Sequence, residues 1–170
     1  MNVIVTPHGA HEARLDWGLG PRRAAIGRGG IGAKGGEGDG ITPLGTWPLR
    51  RLLYRADRVP AVKTHLPLST IAPDDGWCDA PGDPAYNTAV KLPYGASTET
   101  LWRKDHIYDL VVVIGFNDAP VVPGKGSAIF LHVARPNYSA TAGCVAIARP
   151  DLVTLLALLK SGDMITIKGL

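Results

Sequence analysis

Two stretches of the chain, YDLVVVIGF (108–116) and GSAIFLHV (126–133), are continuous apolar runs of strand length. Runs of this kind read as central strands of a sheet covered on both faces. Elsewhere apolar and polar positions alternate: NVIVT near the start, HEARLDW with Leu15 and Trp17 set against charge, RRAAIG, and DMITIKG. This period of two, broken by His-Gly, Gly-Pro and Gly-Gly pairs, predicts short strands separated by turns. TPLGTWPLRRLLYR continues the pattern, and Pro43 and Pro48, which cannot donate to a ladder, place it at a sheet edge. Ala96 to Arg103 reads as a short helical turn capped by Ser97. Toward the other end Pro150 suits a first helical position, Leu152, Leu155, Leu156 and Leu159 recur at i, i+3, i+4 and i+7, and Gly162 ends the pattern. Residues 59–94 are irregular and rich in Pro, Asp and Gly, with Leu66, Ile71, Trp77, Tyr86 and Tyr94 as anchors that hold them down. The expected fold is mostly β: a mixed β-sheet or sandwich with one C-terminal amphipathic helix.

Composition narrows the class. With 170 residues the chain makes one compact domain over 1–170. A 45% apolar and 19% charged composition excludes wholesale disorder, and 21 Gly with 14 Pro argue against a helical bundle. The net charge of +3 is too mild to imply duplex nucleic acid without a clustered basic face. Residues 1–60 carry nine Lys/Arg against five Asp/Glu, and the remainder nine against ten. Either an anionic polymer near the first half or a solvated surface accounts for that split. The start lacks a basic region followed by an apolar one, so no signal peptide is read. The longest apolar run, Leu110 to Phe116, is far below the ~20 residues of a membrane helix, so no membrane span is expected.

The glycine-dense GRGGIGAKGGEGDG contains a formal GxGxxG at Gly30, Gly32 and Gly35, but GEGDGITP follows where a dinucleotide fold needs a helix. Lys34 precedes Gly35 instead of Ser or Thr, so a Walker loop fails as well. The segment reads as a mobile surface loop. His8 and His11 have no third ligand, so no metal and no cofactor is expected. His65 and His106 have no partner in sequence. Cys78 and Cys144 could be bridged, could both be inert core thiols, or one could be a nucleophile. Cys78, within DDGWCDAPGD, either is buried or lines a cleft beside Trp77 and Asp79. His132 ends an apolar strand, and Cys144 follows it after ARPNYSATAG, a turn of small and polar residues. A cysteine of ordinary pKa, near ~8.5, needs a neighbouring imidazole to take its proton before it attacks a carbonyl. Gly143 permits an unusual backbone angle there, so that amide N–H groups can face the developing oxyanion. A buried thiol and a core histidine remain the alternative. Asn117 and Asp118, ending the other apolar strand, are adjacent candidates.

IFLHVARPNYSATAGCVAI resembles the catalytic segment of the YkuD-type L,D-transpeptidases, whose signature is a strand-end histidine, a variable loop and Ser/Thr-x-Gly-Cys. GDGITPLGTWPL is similar to the Thr-Pro-x-Gly-x-aromatic segment near the start of such domains, so the likeness brackets roughly residues 40–168. The resemblance implies Cys144 as nucleophile, His132 as base, Gly143 as the oxyanion-loop glycine and Thr141 as the hydroxyl residue. The commoner form carries a histidine and an arginine where this chain has Ala142 and Ala146, and the spacing from His132 to Cys144 is shorter. A compact Thr-Ala-Gly-Cys branch is the closer comparison, with Arg135 or Arg149 taking over substrate contact; Asn117 and Trp77 are placed at the cleft by adjacency alone, not by the resemblance. The implied activity is crosslinking of peptidoglycan stem peptides through a thioester, at a donor bond the altered motif leaves open. Water as acceptor would make the protein a carboxypeptidase or endopeptidase. A non-catalytic wall-binding domain and a cytosolic thiol hydrolase are the other readings. A monomer in the periplasm or cell wall, open to carbapenem β-lactams as inhibitors, completes the expectation.

Overall fold

The structure, a computed structural model, describes residues 1–169. The first strands are β1 (Asn2–Pro7), β2 (Glu12–Asp16), β3 (Arg22–Ala25), β4 (Ile31–Gly32), β5 (Thr42–Pro43) and β6 (Gly45–Tyr54). Then come β7 (Leu68–Thr70), β8 (Asp75–Cys78), β9 (Ala89–Lys91), β10 (Thr98–Thr100) and β11 (Leu110–Ile114). β12 (Phe130–Val133), β13 (Val145–Ile147), helix α1 (Arg149–Leu156) and β14 (Met164–Ile167) complete the chain. The fold is mostly β.

The main sheet runs β11-β12-β13-β3-β2-β1-β14-β6, with β7 outside β6, and a pairing of β11 with β6 closes it into a ring. Closure removes the open edges that a sheet of this size would otherwise present. The strand that makes it possible is β6. Its first residues pair with β14 (Thr46↔Thr166), and its later ones pair with β11 (Leu52↔Val112). This corrects the edge-strand expectation for Pro48; Pro43 lies in β5, which pairs with β4 in a separate two-stranded sheet and is an edge strand. Pro48 stands where β6 passes from one neighbour to the other, and its carbonyl accepts the Gly115 N–H at 2.8 Å.

Two apolar layers lie against this ring. Leu110, Val112 and Ile114 of β11 and Leu131 of β12 join the inner cluster with Val3, Val5 and the helix leucines Leu152, Leu155 and Leu156. Val111, Val113 and Phe130, pointing the other way, join Leu53, Trp77, Tyr108 and Cys144. The two apolar runs are thus covered on both faces, as the unbroken hydrophobicity implies. Phe130 is fully buried and meets Trp77 and Tyr108 edge-on at 5.2 and 5.9 Å. α1 starts with its proline in the first turn and is shorter than the leucine spacing implies; Leu159 is buried in the turn that follows.

The second layer is built by a small sheet, β10-β8-β9. Here the helical reading of Ala96 to Arg103 fails. Thr98, Glu99 and Thr100 instead pair with Cys78, Trp77 and Gly76. The β-branched threonines favour that pleated surface, and strand pairing outweighs a local cap.

Candidate active site

β12 and β13 are parallel neighbours, so the chain must cross over between them. Residues 134–144 do so by borrowing the end of β3. The Thr141 N–H donates to the Ile26 carbonyl at 2.9 Å, and the Arg28 N–H donates to the Thr141 carbonyl at 3.0 Å. In register His132 opposes Ala146 and Leu131 opposes Val145, which carries Cys144 alongside Phe130. Side chains alternate along a strand and paired residues share a face. His132 and Cys144 therefore look to the same side, away from the inner core, and both line one cavity of about 650 Å³.

Thr141 shapes the turn before the thiol. Its hydroxyl donates to the Cys144 carbonyl at 2.7 Å and accepts the Gly143 N–H at 3.1 Å. Gly143 itself has φ +140°, a conformation that side chains rarely adopt. A Cβ there would also come within 2.9 Å of the Ile41 carbonyl.

The imidazole is held in one tautomer. Nδ1 lies 2.9 Å from the Val133 carbonyl, which can only accept, so Nδ1 carries the proton and Nε2 is left as the basic nitrogen. Burial lowers the His132 pKa to about 4, with the Val133 carbonyl pulling the other way and Arg135 and Arg103 lowering it further. Burial pushes the Cys144 thiol up to about 12, the Glu99 carboxylate adds to this, and Lys34 and the Tyr108 hydroxyl oppose it. The thiol donates to the Ala128 carbonyl at 3.3 Å. At rest the thiol keeps its proton, directed at the Ala128 carbonyl, and the imidazole is neutral.

A histidine buried in its neutral form makes stability depend on pH. With the folded pKa near 4 and the unfolded one near 6.5, the unfolded chain binds the proton first as pH falls, so stability drops between these values. Urea melts at pH 7 and pH 4.5 should show this group contributing a loss of about 2 kcal/mol. The His132→Gln protein should show a correspondingly shallower pH dependence; equal slopes for the two proteins would count against a neutral buried ring.

The glycine-dense segment does not stay free of the site, contrary to the surface-loop reading. A Cβ on Gly27 would lie 1.9 Å from the Gly40 carbonyl oxygen and 3.1 Å from the Gly143 Cα, so the segment is pressed onto the cysteine turn. Lys34, with only 4% of its side chain exposed, bonds Asp39 at 2.6 Å and the Ile41 carbonyl at 3.2 Å. Burial alone would raise the Asp39 pKa, but Lys34 and the Ile41 and Gly35 amides bring it down to about 2. Arg28, Lys34 and Glu37 from this segment line the cavity. So do Asp79, which the sequence places at a possible cleft beside Cys78, and Glu99, Arg103 and Tyr108, which no local motif singles out. Tyr108 stacks edge-on against His132 at 5.2 Å and donates its hydroxyl to Glu99.

Of the expected substrate contacts, Arg135 and Thr141 line this cavity. Trp77, Asn117 and Arg149 do not. Trp77 is buried, bonds Asn87 at 3.0 Å and borders a separate cavity of about 270 Å³. Asn117 ties its own loop together, donating to the Val122 and Gly126 carbonyls at 3.0 and 2.9 Å. Arg149 pairs with the buried carboxylate of Asp109, which Arg58 also meets at 2.9 Å. Each is claimed by internal polar groups that would otherwise be unpaired. Cys78 and Cys144 are both free thiols, and burial raises the Cys78 pKa. Ala146, where the commoner motif has arginine, is 1% exposed opposite His132.

Comparison with known proteins bears on the family. Among solved structures, the chain is similar to Mycobacterium tuberculosis L,D-transpeptidase 1 at 14% identity and a TM-score of 0.43, over 99% of this chain. The chain spans 62% of that structure's length. Comparison with curated proteins gives no significant match. The family profile of the YkuD L,D-transpeptidase catalytic domain matches residues 11–167. No helix among the described residues is long and apolar enough to cross a membrane. The profile takes in the crossover turn, the strand-end histidine and the glycine segment together, and on that match the chain belongs to the YkuD L,D-transpeptidase catalytic domain family.

Proposed function

We propose that residues 1–170 form a single catalytic domain that exchanges peptide bonds on peptidoglycan stems through a thioester on Cys144, on the outer side of the cytoplasmic membrane. The observation that carries this reading is the placement of the Cys144 and His132 side chains on one face of adjacent parallel strands, both lining the same cavity behind a positive-φ glycine.

The chemistry follows from a neutral pair. As the donor carbonyl meets Sγ, His132 Nε2 takes the thiol proton, and a sulfur–carbon bond forms. The carbon–nitrogen bond of the donor then breaks, with the proton passing from the imidazolium to the leaving amine. An acceptor amine next attacks the thioester and gives up a proton to His132 Nε2; its nitrogen–carbon bond forms, the sulfur–carbon bond breaks, and His132 passes that proton to the sulfur. Amides at the cysteine turn stabilise the oxyanion, and Arg135 is the candidate for holding a substrate carboxylate. Burial suits this scheme, because a desolvated pair transfers its proton as bonds change and needs no standing charge.

Purified protein incubated with muropeptides should yield crosslinked dimers or trimmed stems, and a carbapenem should leave a covalent mass adduct on Cys144. Trimmed stems without dimers would favour hydrolysis. Neither product nor adduct would sink the enzyme reading and leave a wall-binding domain.

A further inference from the structure

The cavity that holds Cys144 carries three carboxylates, Glu37, Asp79 and Glu99, beside its cations. Negative charge that builds on the sulfur as the thiol gives up its proton is therefore opposed, unless a cation stands at the cysteine turn. The cations of the cavity are not equally placed for this. Arg103 makes two 2.8 Å bonds to Asp105, and Arg135 lies 3.9 Å from the same carboxylate. Arg28 has no ion pair among the described residues, but it is exposed and its guanidinium donates to the Gly38 carbonyl at 2.6 Å.

Lys34 differs from these in burial and in aim. With 4% of its side chain exposed, it sits where little water screens its charge. Its stem fills the space that a side chain at Gly126 would take, since a Cβ there would meet Lys34 Cε at 2.5 Å and Cδ at 2.7 Å. At the other end Nζ would lie 3.6 Å from a Cβ on Gly143, so the ammonium stands against the turn that presents Cys144. Asp39 and the Ile41 carbonyl take two of its three N–H groups, and the third meets no partner among the described residues. Asp39 does not cancel this charge at the thiol. Its side chain is 20% exposed, and its own charge is shared among the Gly35, Gly36 and Ile41 N–H groups that it accepts. Against burial and Glu99, which raise the Cys144 pKa, Lys34 lowers it.

We infer that Lys34 is a positioning residue for acyl transfer, its buried ammonium acting through Cys144 by stabilising the negative charge that forms on the sulfur. The catalytic half of this rests on Cys144 being the nucleophile; the coupling between ammonium and thiol does not. A lysine that merely tied the glycine segment to the Ile41 carbonyl would leave the acidity of the thiol alone.

The test reads thiol chemistry in the full chain without substrate. Protein is labelled with iodoacetamide from pH 7 to pH 10, and the rates at Cys144 and Cys78 are followed by peptide mass spectrometry. Alkylation proceeds through the thiolate. Lys34→Gln should therefore slow Cys144 labelling at pH 8 by about tenfold or more and displace its rate profile to higher pH, whereas Lys34→Arg, which keeps the charge, should stay within about threefold of the unaltered protein. Cys78, 0% exposed and outside the cavity, should not change in either variant. An unaltered Cys144 rate in Lys34→Gln would overturn the inference. Loosening of the glycine segment acts in the opposite direction, because it uncovers a thiol that is only 7% exposed. Faster labelling of Cys144, or of Cys78 with it, would thus overturn the inference in favour of a purely structural tie. Equal slowing in Lys34→Gln and Lys34→Arg would overturn it in favour of shape over charge. Since no turnover is needed, a failure of the muropeptide assay and a failure here are read separately.

Discussion

Cys144→Ala should lower the rate of muropeptide turnover by at least ~10⁴-fold, roughly 5.5 kcal/mol of transition-state stabilisation, because removal of a nucleophile leaves only binding and oxyanion contacts. Cys78→Ala should turn over at close to the rate of the unaltered protein. The two thiols are both buried and both free, so they make a matched pair of controls. Cys78 belongs to β8 and does not line the cavity, and its loss should cost only the packing of a small side chain, about 1 kcal/mol. Steady-state kcat/KM for both variants, alongside urea melts, separates chemistry from stability. Comparable losses in the two, or a Cys144→Ala protein that still makes dimers, would end the thioester mechanism.

Gly27→Ala should be the most damaging single methyl group in the molecule. Its Cβ would lie 1.9 Å from the Gly40 oxygen, 2.9 Å from the Gly40 carbonyl carbon and 3.1 Å from the Gly143 Cα. All three are backbone atoms, so no side-chain rotation relieves the overlap. The glycine segment must lift or the cysteine turn must shift, at a cost of about 3 kcal/mol or more. A displacement of ~1 Å at the nucleophile would reduce turnover by about 10²-fold in whatever protein still folds. Gly82, where nothing lies within 4 Å of an added Cβ, is the control, and its alanine variant should be near neutral. A Gly27→Ala protein with an unaltered melt would show that the segment does not press on the site.

What the amino-acid order makes plain is what local composition can carry. Leu110 to Ile114 is apolar at every position and Ala128 to Val133 at every position but His132, so burial on both faces is legible without knowing the partners. The His132 and Cys144 pair is legible too, because a single crossover turn joins them and its small residues announce a tight path. The opposite wall is not. Lys34, Asp79, Glu99 and Tyr108 come from separate segments, and each looks ordinary until β10 pairs with β8 and the glycine loop folds down. Thr98–Thr100 is too short for a period of two to show against the nearby capping serine. Pro48 reads as an edge residue because a strand that exchanges neighbours midway leaves no mark in its own composition. Trp77 and Asn117 are misplaced for a related reason: polar groups near candidate chemistry look like ligands until internal partners claim them.

The pairing of β1 with β14 sets a schedule for self-assembly. Val3 lies beside Ile165 and Val5 beside Ile167, so β1 finds its partner far along the chain. A nascent chain leaving the ribosome can form the β1–β2–β3 meander but must hold the flank of β1 open until β14 has been made. Contacts this distant in sequence raise the contact order, and refolding belongs on the millisecond-to-second scale of β-rich topologies, not the microsecond scale of helical ones. Until β14 docks, the exposed flank is the place where a second chain can intrude.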